Sequence, residues 1–165
     1  MLREEPMTGK RTAALFALIL GTLVLVSTAR TEILGDYLSS TACVDCHAEI
    51  VEGWKTTAHA KAFETLKNQG EEKLKNPGCV KCHVVAFDKD GGFIDMDLTP
   101  ELKGVQCECC HGPARKHVES QDSADIVGKP GETVCRACHT MGQDKNFDFG
   151  KKSLLIHGKK WRSEA

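Results

Sequence analysis

The chain has 165 residues, of which 5% are aromatic and nine are cysteine, and its formal net charge is −1 with histidine neutral. The length suits one domain or a domain with a tail, and the nearly balanced charge excludes a basic nucleic-acid-binding surface. So few large apolar side chains would form only a thin core, and the cysteines therefore point to disulfides, a metal or a cofactor that fills the interior.

The N-terminus has the pattern of a secretory signal. Three basic residues precede an apolar run that ends in small residues and spans residues 13–29. Such a pattern is typical of a signal peptide, here residues 1–29 with cleavage after Ala29. The alternative is an uncleaved anchor, since residues 13–29 are just long enough for a short membrane-spanning helix. Both interpretations place a domain of residues 30–165 in the periplasm or another extracytoplasmic space, and the second tethers it to the inner membrane.

The clearest predicted helix follows the first pair of cysteines. Residues 48–68 contain few helix breakers and include His59. In one straight helix His59 would lie roughly 18 Å from His47, at about 1.5 Å per residue. That separation favours a role for His59 at a different site from the one that His47 serves.

Shorter elements are expected over the rest of the chain. Residues 76–78 (Asn-Pro-Gly) predict a break before the second cysteine pair, and an Asp-Gly turn predicts a short hairpin over residues 87–94. Residues 112–113 (Gly-Pro) predict the start of a helix that carries His117, and residues 129–131 predict a loop before the fourth pair. The expected fold class is mainly α, with little β-structure.

Eight of the nine cysteines form four copies of C-x-x-C-H, the signature of c-type haem attachment. In each copy the two thiols would form thioethers to one porphyrin, and the adjoining histidine would bind the iron from the same side. Zinc sites or disulfides would not require a histidine directly after every second cysteine. The sequence therefore predicts four covalent haem c groups, attached at Cys43, Cys46, Cys79, Cys82, Cys107, Cys110, Cys135 and Cys138, with proximal iron ligands His47, His83, His111 and His139.

The ninth cysteine, Cys109, lies inside the third motif. Either it is an unreactive thiol, or it competes with Cys107 for haem attachment.

Three histidines remain for the other axial position of the irons, namely His59, His117 and His157. His117 is six residues past His111 and would have to wrap round a macrocycle edge to reach that iron, so it is expected to serve another haem. Three ligands for four irons leave one iron short. That iron could take Met96 or Met141, receive a ligand from another chain, or stay five-coordinate with an open face.

Taken together, these features resemble the tetrahaem cytochrome c-554 family. The resemblance covers residues 41–157. It rests on Trp54 and His59 after the first motif, on residues 104–113 (G-V-Q-C-E-C-C-H-G-P) with His117 close behind, and on the late His157. Cys109 is outside the pattern of the family, and the stretch after the fourth motif is short.

The resemblance implies a mainly α fold, a small multihaem cytochrome with short helices and loops wrapped around four stacked haems. It also implies that His117 caps the first haem, His59 the third and His157 the fourth. The second haem, on His83, is then five-coordinate. Members of the family accept electrons from hydroxylamine oxidoreductase, so the resemblance implies redox proteins as partners.

The predicted function is electron transfer between a donor and an acceptor protein that the sequence does not identify, since haem supplies the chemistry and the protein sets its ligands and burial. One alternative is a small nitrogen-oxide reductase at the five-coordinate haem. The other is a subunit of a polymeric cytochrome wire, an oligomer in which a neighbouring chain supplies one distal histidine. No acid–base set is evident beside His83, which favours the electron carrier.

Overall fold

The computed structural model describes residues 35–158, and the predicted signal peptide or anchor at residues 1–29 lies outside them. Within residues 35–158 the protein consists of short helices joined by turns, and the only β-structure is an isolated bridge between Val84 and Lys103. The mainly α class is therefore confirmed. No helix in this part of the chain is long and apolar enough to cross a membrane.

Eight α-helices lie in the described part of the chain. In chain order they are α1 (Val44–Lys55), α2 (Ala62–Lys67), α3 (Glu71–Leu74), α4 (Pro77–Val80), α5 (Cys107–His111), α6 (Arg115–Ser120), α7 (Glu132–Arg136) and α8 (Phe149–Lys152). Short 3₁₀ helices occupy Ser40–Cys43, Pro100–Leu102, Ser123–Asp125 and Ser153–Leu155. The longest element has only 12 residues, so turns determine where most of the chain goes.

The single helix predicted over residues 48–68 is wrong, because α1 and α2 are separated by turns over residues 56–61. The hydroxyls of Thr56 and Thr57 each donate to the carbonyl oxygen three residues earlier, at 2.7 Å. These bonds, together with backbone bonds of the same spacing, take the acceptors that a continuing α-helix would use. His59 therefore lies in a turn, and the distance calculated along a straight helix does not apply.

The hairpin predicted over residues 87–94 is also wrong. The segment is a closed loop, in which Gly91 has a φ of 72° and the backbone N–H groups of residues 89 and 92 donate to carbonyl oxygens within the loop. The Phe93 N–H donates to the Val85 carbonyl at 2.9 Å and closes the loop at its base. With its hydrogen bonds turned inward, the loop forms no strand ladder.

Other turn and helix predictions agree with the structure. The Asn76 side chain accepts a hydrogen bond from Gly78 N–H at 2.8 Å and caps α4, which begins at Pro77. Helix α6 carries His117, and residues 129–131 form the loop that precedes α7.

The buried apolar core lies beside the second motif. Its members are Phe63, Leu66, Val80, Val84, Val85, Phe93 and Leu102. Val80 and Val84 belong to the chain on either side of Cys82 and His83, so the core fixes the backbone of this motif directly.

Candidate haem sites

Six of the seven histidines face one another in three pairs, each of which joins a motif histidine to one from outside the motifs. The ring centroids are 6.0–6.4 Å apart in the pairs His47–His117, His59–His139 and His111–His157. A centroid separation of about 6 Å is expected when one metal ion lies between two imidazoles, each nitrogen about 2 Å from it. These pairs therefore fit three irons, each with histidine on both sides.

The pair of His47 and His117 agrees with the ligand implied for the first haem. The two rings are nearly parallel, with an interplanar angle of 21°. The His117 Nδ1–H donates to the Asp122 carbonyl at 2.9 Å, which leaves Nε2 free to point toward His47. His117 thus faces a motif other than the one it follows, in agreement with the expectation from its short distance to His111.

The assignment implied for His59 is wrong, because His59 faces His139 of the fourth motif and not the third. Its turn is anchored at two points that the sequence did not reveal. The Trp54 indole N–H donates to the Val105 carbonyl at 3.0 Å, and the Val105 N–H donates to the His59 carbonyl at 3.3 Å. The break between α1 and α2 and these bonds direct the His59 ring to the fourth motif.

The assignment implied for His157 is wrong for a related reason, since His157 faces His111 of the third motif and not the fourth. The chain beside it packs backbone to backbone on α1. A Cβ on Gly53 would overlap the His157 carbonyl oxygen, and a Cβ on Gly158 would overlap the Gly53 carbonyl oxygen. Only glycine at these positions allows this approach, which brings the end of the described chain back to the third motif.

His83 is the motif histidine that no other histidine faces. All seven histidines lie within residues 35–158, and the three pairs use the other six. The His83 Nδ1–H donates to the Ala62 carbonyl at 2.6 Å. The two methionines considered as its ligands, Met96 and Met141, are 38% and 73% exposed.

The motif thiols are close together in two sets. A hydrogen bond between Cys43 and Cys107 raises the pKa of the first thiol and lowers the pKa of the second. Burial, together with a hydrogen bond from Cys82, raises the pKa of Cys138 to about 12. The first motif therefore adjoins the third, and the second adjoins the fourth.

A cavity of about 790 Å³ lies between the first and third motifs. Its walls carry the thiols of Cys43, Cys46, Cys107 and Cys110 and the pairs His47–His117 and His111–His157. Apolar side chains such as Ile50, Val51 and Ile156 line much of the remaining wall. Apolar walls, paired thiols and facing imidazoles are the donor set that covalent haem requires, so these residues fit the group.

Two of the distal histidines lie in environments that favour the neutral imidazole. Burial lowers the pKa of His59, and the adjacent His139 lowers it further. Burial and His111 lower the pKa of His157 in the same way. Neutral imidazole is the form that binds metal, so both rings are prepared for ligation.

Glu108 organises the third motif, and sequence reasoning missed it. This buried carboxylate accepts hydrogen bonds from the backbone N–H groups of Leu38, Ser39 and Ala114 at 2.9–3.0 Å. It thereby joins the segment before the first motif to the residues after the third. A glutamate between two motif cysteines carries no sequence signal for burial, because charged side chains are usually exposed.

Cys109 packs against the core beside the second motif, and its thiol donates to the Val84 carbonyl at 3.6 Å. Burial raises the pKa of Cys109 to about 12. A protonated, half-buried thiol is a poor nucleophile, which supports the unreactive interpretation of this residue.

Comparisons with known proteins agree with this geometry. Residues 42–112 match the family model of cytochrome c554 and c-prime. The chain is 34% identical to cytochrome c-554 of Nitrosomonas europaea over 73% of its own length, and it spans 58% of the length of that relative. The solved reduced state of cytochrome c554 from the same organism superposes with a TM-score of 0.56 at 27% identity, covering 74% of this chain and 83% of that one.

Proposed function

Since the chain belongs to the tetrahaem cytochrome c-554 family, a family of multihaem c-type cytochromes with covalently bound haem, we propose that it transfers single electrons between two redox proteins. The observation that carries this proposal is the set of three facing histidine pairs. An iron with histidine on both sides has no position for substrate and can only exchange electrons. Bound haem supplies reversible one-electron chemistry, and the protein supplies ligands, burial and spacing.

The chain's own residues have two roles in this proposal. The eight motif cysteines hold the porphyrins through thioethers, and the seven histidines hold the irons. Hydrogen bonds at Nδ1 orient the rings of His83, His111 and His117, because each donates to a backbone carbonyl at 2.6–2.9 Å and leaves Nε2 for the metal.

The contacts between motifs support transfer within the chain. A hydrogen bond links the thiols of Cys43 and Cys107, and another links those of Cys82 and Cys138. Groups attached at adjacent thiols are neighbours, so electrons need not cross bulk protein within either set of two motifs.

We place this activity in the periplasm, with one protein as electron donor and another as acceptor. The predicted signal at residues 1–29 supports an extracytoplasmic location, where c-type haem is attached. The electron donor and acceptor would dock at exposed edges of the haem groups, and the chain requires no nucleic-acid partner for this function.

Mass spectrometry combined with a redox titration tests the proposal. The purified protein should carry four covalent haems that survive acid extraction, and reduction should consume four electrons per chain reversibly. Bound zinc in place of haem, or irons that do not cycle, would contradict the proposed function.

A second activity, binding of a small molecule at the iron on His83, is favoured by the absence of a facing histidine there. Nitric oxide added to the reduced protein should bind one haem per chain, because binding at the other three requires displacement of a histidine. The variant His117→Ala should bind two. If none binds in the unmodified protein, another ligand fills the position on His83, from this chain or from a second copy.

A further inference from the structure

The motif histidines differ in what their Nδ1–H contacts. Those of His83 and His111 donate to the backbone carbonyls of Ala62 and Val127, both at 2.6 Å. His139 instead contacts a side-chain carboxylate, with its Nδ1 3.1 Å from Oδ2 of Asp144. His139 therefore has an anionic hydrogen-bond partner, whereas His83 and His111 have neutral ones.

The position of Asp144 is set by a tight turn directly after the fourth motif. Its backbone N–H donates to the Thr140 carbonyl at 2.8 Å, and its own carbonyl accepts from the Phe147 N–H at 3.1 Å. The turn begins one residue after His139, so it places the carboxylate beside the ring.

Aromatic stacking fixes the orientation of the same ring. Phe147 stacks on His139 with centroids 4.7 Å apart, and the Arg136 guanidinium lies 4.7 Å above the Phe147 ring. Arg136 also donates to the Phe147 carbonyl at 3.2 Å and forms its ion pair with Glu132. Arg136 thus pairs with Glu132, while the carboxylate of Asp144 contacts His139.

A carboxylate that accepts the Nδ1–H of a ligating histidine makes the ring a stronger electron donor to the metal. Greater donation and the nearby negative charge both favour ferric over ferrous iron, because the ferric state carries one more positive charge. A carbonyl acceptor has the same effect only weakly, since it bears a partial charge.

We infer that Asp144 is a positioning residue that lowers the reduction potential of the haem on His139 below that of the haem on His111. The inference rests on the proposed function, since it assigns an order to the potentials of a chain that transfers electrons. The fourth motif adjoins the second through Cys138 and Cys82. A lower potential at His139 favours electrons on the haem held by His111 over the haem held by His139.

Spectroelectrochemical titration of the holoprotein tests this inference. Asp144→Asn keeps the shape and an oxygen acceptor but removes the charge, so the midpoint potential of one six-coordinate haem should shift upward while the other three stay in place. Asp144→Glu should shift it less. The matched control is Asp148→Asn, which removes an exposed carboxylate of the same segment that pairs with Lys151 and not with a histidine.

An unchanged titration in Asp144→Asn, or an equal shift in Asp148→Asn, would overturn the inference. Should Asp144→Asn yield no holoprotein, the unmodified protein gives the answer. His59→Ala shows which spectral signal belongs to the haem on His139, because that haem becomes high spin in the variant. In the unmodified protein, the haem so identified should have a lower midpoint potential than the haem on His111. Failure of the proposed function is distinguishable, because it would appear as fewer than four redox-active haems in every variant.

Discussion

The surroundings of the second motif differ from those of the first and third in what fills the space beside the histidine. Around His83 the chain packs its own apolar side chains, and Val85 and Leu102 are almost fully buried. Between the first and third motifs the chain leaves a cavity of about 790 Å³ that thiols and imidazoles surround. The region around His83 is a protein core. The region between the first and third motifs is a binding site whose interior a bound group has to fill.

This difference shows how a chain with 5% aromatic residues makes a stable domain. Residues 62–102 can bury enough apolar surface to form a local core. The cavity between the first and third motifs is lined by thiols, imidazoles and apolar side chains, and among the described residues it has no packed apolar core of its own. Haem therefore contributes more to the fold around the cavity between the first and third motifs than around the core beside the second motif.

The largest expected effect comes from loss of haem in each region. Cys43→Ala with Cys46→Ala should remove one covalent haem and expose the backbone around the cavity, since a large cavity without its ligand is costly. Cys79→Ala with Cys82→Ala should also remove one haem, but leave the core of residues 62–102 protected. Hydrogen exchange measures both, and equal loss of protection would show that the two regions do not differ.

A substitution in the protein core should have a smaller effect and a different signature. Leu102→Ala should lower the free energy of unfolding by about 2–5 kcal/mol, because Leu102 is 2% exposed and the site cannot collapse fully. Leu98→Ala makes the same chemical change at a 66% exposed position and should cost less than about 0.5 kcal/mol. Denaturant titration gives both values, and similar losses in the two variants would contradict the placement of the core.

The smallest structural change should act on a single iron. Gly53→Ala adds one methyl group that would overlap the His157 carbonyl, so His157 should move away from His111. The expected result is one additional high-spin haem with all four haems still attached. Gly142→Ala, where the new methyl meets only ordinary contacts, is the control and should leave the spin states unchanged. Retention of the original spin states in Gly53→Ala would show that the backbone contact does not position His157.

The sequence predicted the residue types of the sites better than it predicted which histidine faces which motif. The motifs predict the haem-attachment sites, and the three additional histidines predict the type of axial ligand and the shortage of one ligand. The resemblance implied that His59 caps the third haem and His157 the fourth, whereas His59 faces the fourth motif and His157 the third. Their positions depend on where α1 ends and on the glycine contact between α1 and the end of the described chain. Hydrogen bonds of threonine hydroxyls and close backbone contacts leave no periodic pattern in a sequence.

The two carboxylates near the motifs illustrate the same limit. Glu108 and Asp144 look like ordinary surface residues in the sequence, and their partners are backbone amides in one case and a histidine ring in the other. Only the fold brings Leu38 and Ser39 to Glu108, across about 70 positions of chain. Such contacts have to be found in the structure.

In the proposed set of ligands, three irons have histidine on both sides and the iron on His83 does not. Magnetic circular dichroism of the oxidised holoprotein tests it directly, because it counts low-spin and high-spin irons in one sample. We expect three low-spin irons and one high-spin iron per chain, and a second high-spin iron in each of His59→Ala, His117→Ala and His157→Ala. Four low-spin irons in the unmodified protein would contradict it.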